Sequence, residues 1–414
     1  MKVLVIGSGG REHALAWRLA QSPSVSKVYA APGNPGMAEV AEVVPAANSV
    51  GTWRDLAKDK NIDVTVVGPE VPLVAGVVDI FRMSNLPIVG PTAEAAKLEG
   101  SKSFAKEFMI RAGIPTARHC TVTSQAEARK ALDEFGFPVV LKADGLAAGK
   151  GVVIARDRAE AEAALPELLV STLVVEEFLE GEEVSFIVLT DGTKFVPFAP
   201  TQDHKAAYDG DKGPNTGGMG AYRDAHILGP SEMMDVITSV IEPTLGLMEA
   251  ERRIFTGFLY AGLMMTSSGP KVLEFNARLG DPETQPLLHG LTTDLGEVLK
   301  AAAHRDLAGH SLAFSGGASV CVVLAAHGYP GQVRTGDTIT GIDEAEACGA
   351  TVFQAGTRIG RNGLETAGGR VLGVTSSALD LRTAMDTAYT AARAIRFDGM
   401  QFRTDIGAKG LRRY

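Results

Sequence analysis

Through the first hundred residues short apolar runs alternate with longer mixed stretches. Val3–Ile6, Lys27–Ala30, Val64–Val67 and Ile88–Val89 read as strands. Glu12–Gln21, Thr52–Asp59 and Val74–Met83 read as helices. Strand alternating with helix predicts a parallel sheet that takes ligands at the carboxyl ends of its strands. Turn chemistry follows each strand: Gly7-Ser8-Gly9-Gly10, Pro32-Gly33-Asn34-Pro35-Gly36, Gly68-Pro69-Glu70 and Gly90-Pro91-Thr92. All four loops are expected on one edge.

The pattern then changes. Ser101–Arg111 reads as a helix ended by Gly113 and Pro115. Residues 115 to about 190 read as a compact α+β unit with strands Val139–Ala143, Gly151–Ala155, Leu173–Glu177 and Val184–Leu189. Mixed α/β patterning continues to residue 308. A last unit opens at Ser315 with the apolar strand Ala318–Ala325 and closes with strand Arg370–Thr375 and helix Ala378–Ile395. The expected fold is α/β and α+β multidomain. It has a Rossmann-like parallel-sheet unit over 1–101, a middle unit over 102–308 and a small C-terminal α+β unit over 315–414.

One strand departs from simple burial. In Val272–Ala277 side chains alternate faces, so Glu274, Asn276 and, if the strand runs on, Arg278 share one face. Such a face is either the solvated side of an edge strand or a site for Mg²⁺ and phosphate. The latter takes hard oxygen donors for the metal and a guanidinium fork for the anion.

Composition narrows the classes. The chain has 414 residues, 45% hydrophobic and 21% charged, with 40 Lys and Arg against 49 Asp and Glu. A net charge of −9 opposes broad nucleic-acid binding, which needs a basic surface. No apolar run reaches membrane-spanning length, and the start of the chain does not read as a signal peptide. Cys120, Cys321 and Cys348 form neither a metal spacing nor a disulfide framework. A cytoplasmic protein is expected, acting on small molecules without nucleic acid or membrane, as a monomer or weak dimer.

Four loops carry candidate chemistry. Gly7-Ser8-Gly9-Gly10-Arg11-Glu12 resembles a dinucleotide fingerprint, but Glu12 replaces the third glycine and the second strand ends without an acid. It reads instead as a phosphate cradle at a helix N-terminus, or as a plain tight turn. Lys142 to Gly151 is a long hairpin loop with Gly145, Gly149, Lys150 and Gly151, without Walker spacing. Its glycines allow the backbone to close on a triphosphate, with Lys142 beneath. Glu176-Glu177-Phe178-Leu179 breaks an apolar strand. Backbone groups near Glu177 and Leu179 suit adenine and Glu183 suits ribose hydroxyls, with plain solvent exposure as the alternative. Gln202-Asp203-His204-Lys205 and Gly213–Gly220 are too polar and glycine-rich for core.

Together these segments resemble the ATP-grasp ligases. Gly9–His13, Lys142–Gly151, Gln202–Lys205, Gly213–Tyr222 and Gly280–Gln285 look like the phosphoribosylamine–glycine ligase family from Val3 to about Gly407. The resemblance implies an ATP-grasp domain over 102–308, with a nucleotide lid at about 116–188. It implies ATP-dependent joining of glycine to 5-phosphoribosylamine through glycyl phosphate, at the second step of purine synthesis. It implies Mg²⁺ or Mn²⁺ on Glu274 and Asn276. Lys142, Gly145, Gly149, Lys150 and Gly151 would bind phosphates, and Glu177, Leu179 and Glu183 the nucleoside. Gly9, Gly10, Arg11, Glu12, Thr216, Gly217, Gly218 and Glu283 would bind substrate, with Arg278, Asp203 and Lys205 catalytic. Asp281-Pro282 reads as a helix cap and first turn. Three departures stand out. Leu279 replaces a common aromatic, Arg156–Thr172 is short, and the strand Phe258–Met264 lacks the acid that often assists the metal. The rivals are another ATP-grasp enzyme, a non-catalytic nucleotide sensor and a nicotinamide dehydrogenase.

Overall fold

The computed structural model describes residues 1–146 and 151–414. Gly149 and Lys150, expected in the phosphate loop, lie outside the described residues.

The N-terminal unit is a five-stranded sheet in which every pairing is parallel. Its central strand, Lys2–Gly7, is covered on both faces. Leu4 and Ile6 enter one core and Val3 and Val5 another. A continuous apolar run is what a doubly covered parallel strand requires. The helix expected over Val74–Met83 is instead two, Glu70–Val74 and Val77–Met83. Gly76 separates them at φ 83°, a left-handed conformation that an α-helix does not contain.

Residues 119–177 form a second, four-stranded antiparallel sheet with its own apolar core. The short stretch Arg156–Thr172 still holds an eleven-residue helix, Arg158–Leu168, capped by the Asp157 carboxylate.

The third sheet has nine strands. Its main path runs from Gly269–Asn276 through Gly257–Thr266, Glu182–Thr190, Thr201–Asp203 and Gly220–Arg223. It continues into Ala318–Ala325, Arg370–Ala378 and Thr351–Gln354. Ala221 pairs with Cys321, so hydrogen bonds cross the expected boundary near residue 315. The last unit shares its sheet with the middle one. The expected helix Ala378–Ile395 begins at Leu381, because Ala378 still pairs with Ala318 and Asp380 caps Thr383. Among the described residues no helix is long and apolar enough to cross a membrane.

Candidate active site

The strand Gly269–Asn276 sets the floor of a cleft. Its register against Gly257–Thr266 slips between Gly262 and Leu263, leaving Leu273 as the extra residue of a bulge. Val272 and Phe275 both enter the core, while Glu274 and Asn276 turn away from it. The Leu273 carbonyl accepts a hydrogen bond from Lys142 Nζ at 2.9 Å. The bulge thus aims a metal-type carboxylate and anchors a phosphate-type lysine at one place.

Lys142 belongs to a buried cluster. Its ammonium and that of Lys106 each lie 3.0 Å from Glu176 Oε2. Lys106 also donates to Thr116 Oγ1 at 2.7 Å. Burial lowers the Lys106 pKa to about 8 against the pull of Glu176, so it stays charged at neutral pH. Lys102 joins them by donating to the Gly145 carbonyl at 2.7 Å. Burial also lowers its pKa, against Glu274 and Asp144. Asp144 fixes the root of the phosphate loop by accepting from Lys102 N at 2.6 Å and Ser103 Oγ at 2.6 Å. Two ammonium groups on one buried carboxylate, with Lys102 beside Lys142, leave excess positive charge, which a polyanion would neutralise. Lys102, Lys106 and Glu176 did not emerge from the sequence. A basic helix start, Ser101-Lys102-Ser103, was the available signal.

Next to this wall, Leu179 packs with Ala117 and Met264, and Leu273 borders them. Such a patch suits a flat base. Glu177 lies at its edge, bonded to Arg118 N at 2.9 Å and 3.5 Å from Lys271.

The facing wall carries the opposite charge. Asp203 ends the strand Thr201–Asp203. It keeps some accessible surface at the foot of the cleft, yet protein surrounds it. Burial there raises its pKa to about 7; Lys205 opposes the rise, and Glu283, Glu183 and Glu274 add to it. Lys205 lies 2.9 Å from Glu183 Oε2, so Glu183 has an internal partner where a ribose contact was expected. Burial opposes the charge on Lys205, but Glu183, Asp203 and Glu274 outweigh it and raise its pKa. Glu283 is buried and accepts from Tyr260 Oη at 2.8 Å and Ser185 Oγ at 3.3 Å. Thr216 donates twice to the Lys205 carbonyl, each at 2.8 Å, and accepts from Gly218 N at 2.9 Å. Gly217 is held between Tyr329 Oη, 3.0 Å from its amide, and Arg370, which bonds its carbonyl.

Glu274 stands between the walls. Burial works to raise its pKa, but Lys205, Lys142, Lys102 and Arg278 together hold it below the ordinary carboxylate value. It is therefore an anion ready to accept a cation. Among the described residues no group of three or more His, Cys, Asp or Glu forms a metal cage. Glu274 and Asn276 supply two hard oxygens, which fits a divalent ion completed by phosphate oxygens and water.

The strand stops before Arg278, and two expectations are corrected. The Arg278 guanidinium lies 2.9 Å from Glu99 and 3.4 Å from Glu70. Burial opposes its charge, yet those carboxylates outweigh it and raise its pKa. Asp281 does not cap a helix. Helix Thr284–Gly290 starts after Glu283, and the Asp281 carboxylate bonds Arg370 at 3.0 Å and Gln285 at 2.9 Å. The N-terminal loop is no open cradle either. Glu12 Oε2 accepts from Gly9 N at 2.6 Å, and Arg11 is drawn to Glu12 Oε1 at 2.5 Å and the Leu279 carbonyl at 3.1 Å. Glu12 fills the space above Gly68, where an added Cβ would stand 2.1 Å from its Oε1. A cavity of about 450 Å³ opens beside this loop at the strand ends, lined by Gly7, Ser8, Gly9, Glu12, Trp53 and Pro69 among others. Gly9 and Glu12 reach it; Gly10 and Arg11 are not among its lining residues.

Comparisons with known proteins bear on the family and the fold. Models of the phosphoribosylglycinamide synthetase N domain, ATP-grasp (A) domain and C domain match residues 1–99, 100–284 and 319–409. The phosphoribosylamine–glycine ligase of Streptomyces coelicolor is 51% identical over 419 residues, 99% of each chain. That of Pseudomonas aeruginosa is 49% identical over 424 residues, covering 100% of this chain and 99% of its own. The crystal structure of the Thermotoga maritima enzyme of the same name superposes with a TM-score of 0.84 at 33% identity, covering 98% of this chain and 100% of that one. The biotin carboxylase domain of a Hydrogenobacter thermophilus 2-oxoglutarate carboxylase, at 19% identity and a TM-score of 0.69, shares the fold. The chain belongs to the phosphoribosylamine–glycine ligase family of ATP-grasp enzymes.

Proposed function

We propose that the protein joins glycine to 5-phosphoribosylamine, converting ATP to ADP and phosphate and releasing glycinamide ribonucleotide. The carrying observation is the position of Glu274, within electrostatic reach of the phosphate-type lysines and of Lys205 across the cleft. A carboxylate is a poor electrophile. Its activation by phosphoryl transfer is mostly positioning and charge stabilisation.

Lys102, Lys106 and Lys142 hold the triphosphate, and the 145–151 loop excludes water from an acyl phosphate that would otherwise hydrolyse. Glu274 and Asn276 would hold Mg²⁺ or Mn²⁺, which would supply charge neutralisation at the transferring group. A glycine carboxylate oxygen attacks the γ-phosphorus and ADP leaves. Arg278 faces the charge that develops, released in part from Glu70 and Glu99. The amine nitrogen then attacks the glycyl carbonyl carbon, phosphate departs, and the nitrogen proton passes to Asp203. Lys205 keeps part of the Asp203 population ionised to receive it. The cavity beside Gly9 and Glu12 takes the sugar-phosphate substrate.

The test is ADP release by the purified protein with Mg-ATP, glycine and phosphoribosylamine, each omitted in turn. Release that needs both glycine and the amine is expected. Release indifferent to glycine contradicts the reading.

A further inference from the structure

Residues 206–215 form a hairpin that no other sheet supports. Among the described residues its strands, Ala206–Tyr208 and Lys212–Asn215, pair only with each other, and every residue of the second is exposed. A two-stranded hairpin is marginal in water by itself. Yet Lys205 precedes this one and Thr216 follows it, so its placement sets two residues of the acceptor wall.

The segment 403–413 supplies what the hairpin lacks. Arg403 is 1% exposed. Its Nε and Nη2 each bond the Asp405 carboxylate at 2.7 Å. Its Nη1 reaches the Ala206 carbonyl at 3.1 Å and Asp211 Oδ1 at 3.0 Å. The turn is tied again where Gly210 N donates to Asp405 at 2.9 Å and Thr404 N to Asp209 at 2.8 Å. Lys409 lies 2.6 Å from Asp211. On the other side of Asp203, Arg413 donates to Tyr222 Oη at 2.8 Å, and Tyr222 bonds Gln202. Gln202 in turn donates to the Glu183 carbonyl at 2.8 Å. The segment therefore grips the chain at Gln202 and at Ala206, on either side of Asp203–Lys205.

Between the grips lies His204, 1% exposed, with no hydrogen-bond partner for either ring nitrogen among the described residues. Its ring centroid is 6.1 Å from that of Tyr222. His204 is held by packing and by its own backbone, which donates to the Gly220 carbonyl at 2.9 Å and accepts from Met219 N at 2.8 Å, and the two grips flank that pairing.

We propose that Arg403 is a positioning residue for the acceptor wall, fixing Asp203 and Lys205 through the Ala206 carbonyl and the 209–211 turn. A lysine cannot reproduce its fork, which serves a carboxylate, a carbonyl and a second carboxylate at once. Asp211 sits at φ 56°, which asparagine tolerates, so Asp211→Asn loosens the same tie with the turn conformation kept.

The inference rests on the ligase reading, and the wild-type ADP-release assay decides that reading separately. Arg403→Lys and Asp211→Asn are compared with wild type for kcat, KM of glycine and of the amine, ADP affinity by calorimetry, and the pH profile. An ångström of misplacement lowers turnover by up to about 100-fold, so kcat should fall on the order of 10- to 100-fold in Arg403→Lys and less in Asp211→Asn. ADP affinity should hold in both. The acidic limb should move to higher pH, because Lys205 drawn from Asp203 stabilises its carboxylate less. An unchanged kcat in a folded variant overturns the proposal. So does a fall in kcat matched by equal loss of ADP affinity, which marks general unfolding. If Arg403→Lys does not fold, Asp211→Asn decides by the same criteria.

Discussion

The two walls of the cleft are built from the same kinds of side chain in opposite proportion. On one wall Lys106 and Lys142 bracket Glu176, and Lys102 stands beside Lys142 with its ammonium on the Gly145 carbonyl. On the other, Glu183 and Asp203 flank Lys205, and Glu283 adds its charge beside Asp203. Burial penalises whichever charge is in excess. It lowers the Lys106 pKa to about 8 and raises that of Asp203 to about 7. An excess of buried cations awaits a polyanion, and an excess of buried carboxylates awaits an ammonium or a proton. In the proposed reaction the difference separates the phosphoryl donor's side from the acceptor's side, with Glu274 between them.

The strongest way to break this contrast is to remove the donor wall's lysine. Lys142→Met leaves Glu176 paired with Lys106, so folding should survive. Loss of a preorganised cation at the transferring phosphoryl should lower kcat/KM for ATP by roughly 100- to 1000-fold. Steady-state ADP release measures it, and a change below tenfold would deny Lys142 its role. Glu274→Gln comes next. It keeps the shape and one oxygen donor, so metal affinity in the presence of ADP should drop while ADP alone still binds. Manganese titration followed by electron paramagnetic resonance separates the two.

On the acceptor wall the contrast predicts a pH effect. Asp203 must be ionised to accept the amine's proton, so kcat should rise with pH through about 7. In Asp203→Asn that limb should vanish and kcat should fall by about 100-fold, the usual share of a positioned base. The sign for stability is the reverse. Protonation is favoured in the folded state, so ionising Asp203 lowers stability as pH rises from its ordinary value of 3.8 through about 7. The Asn variant should therefore lose less melting temperature over that range. The smallest effect is expected at the rim. Glu177→Gln keeps the oxygen that accepts from Arg118 and loses only a half-exposed pair with Lys271. Its KM for ATP should change by less than about fivefold.

The fold was legible where packing is local. The doubly buried strand around Val3–Ile6 and the strand Ala318–Ala325 stand out as apolar runs, and Glu274-x-Asn276 shows its alternation in one short stretch. What was hidden depends on partners far along the chain. Lys106 reads as an ordinary helix lysine until Glu176 arrives from 70 positions on. Asp281 fits a helix cap until Arg370 claims its carboxylate. The pairing of Arg278 is hidden because neither Glu70 nor Glu99 lies near it in sequence. The shared sheet across Ala221 and Cys321 was equally silent, since an apolar strand does not announce which sheet it joins. Gly76 alone does not show in the sequence that the helix breaks there, because a single glycine also sits inside intact helical patterns.

The most direct test of two walls serving one transfer follows an oxygen atom. Glycine labelled with ¹⁸O in its carboxylate is turned over with ATP and phosphoribosylamine, and the released phosphate is examined by ³¹P NMR. If the carboxylate attacks the γ-phosphorus and the amine then displaces phosphate, each phosphate released carries one ¹⁸O from glycine. Phosphate free of label would mean that glycine is never phosphorylated, and would contradict the account.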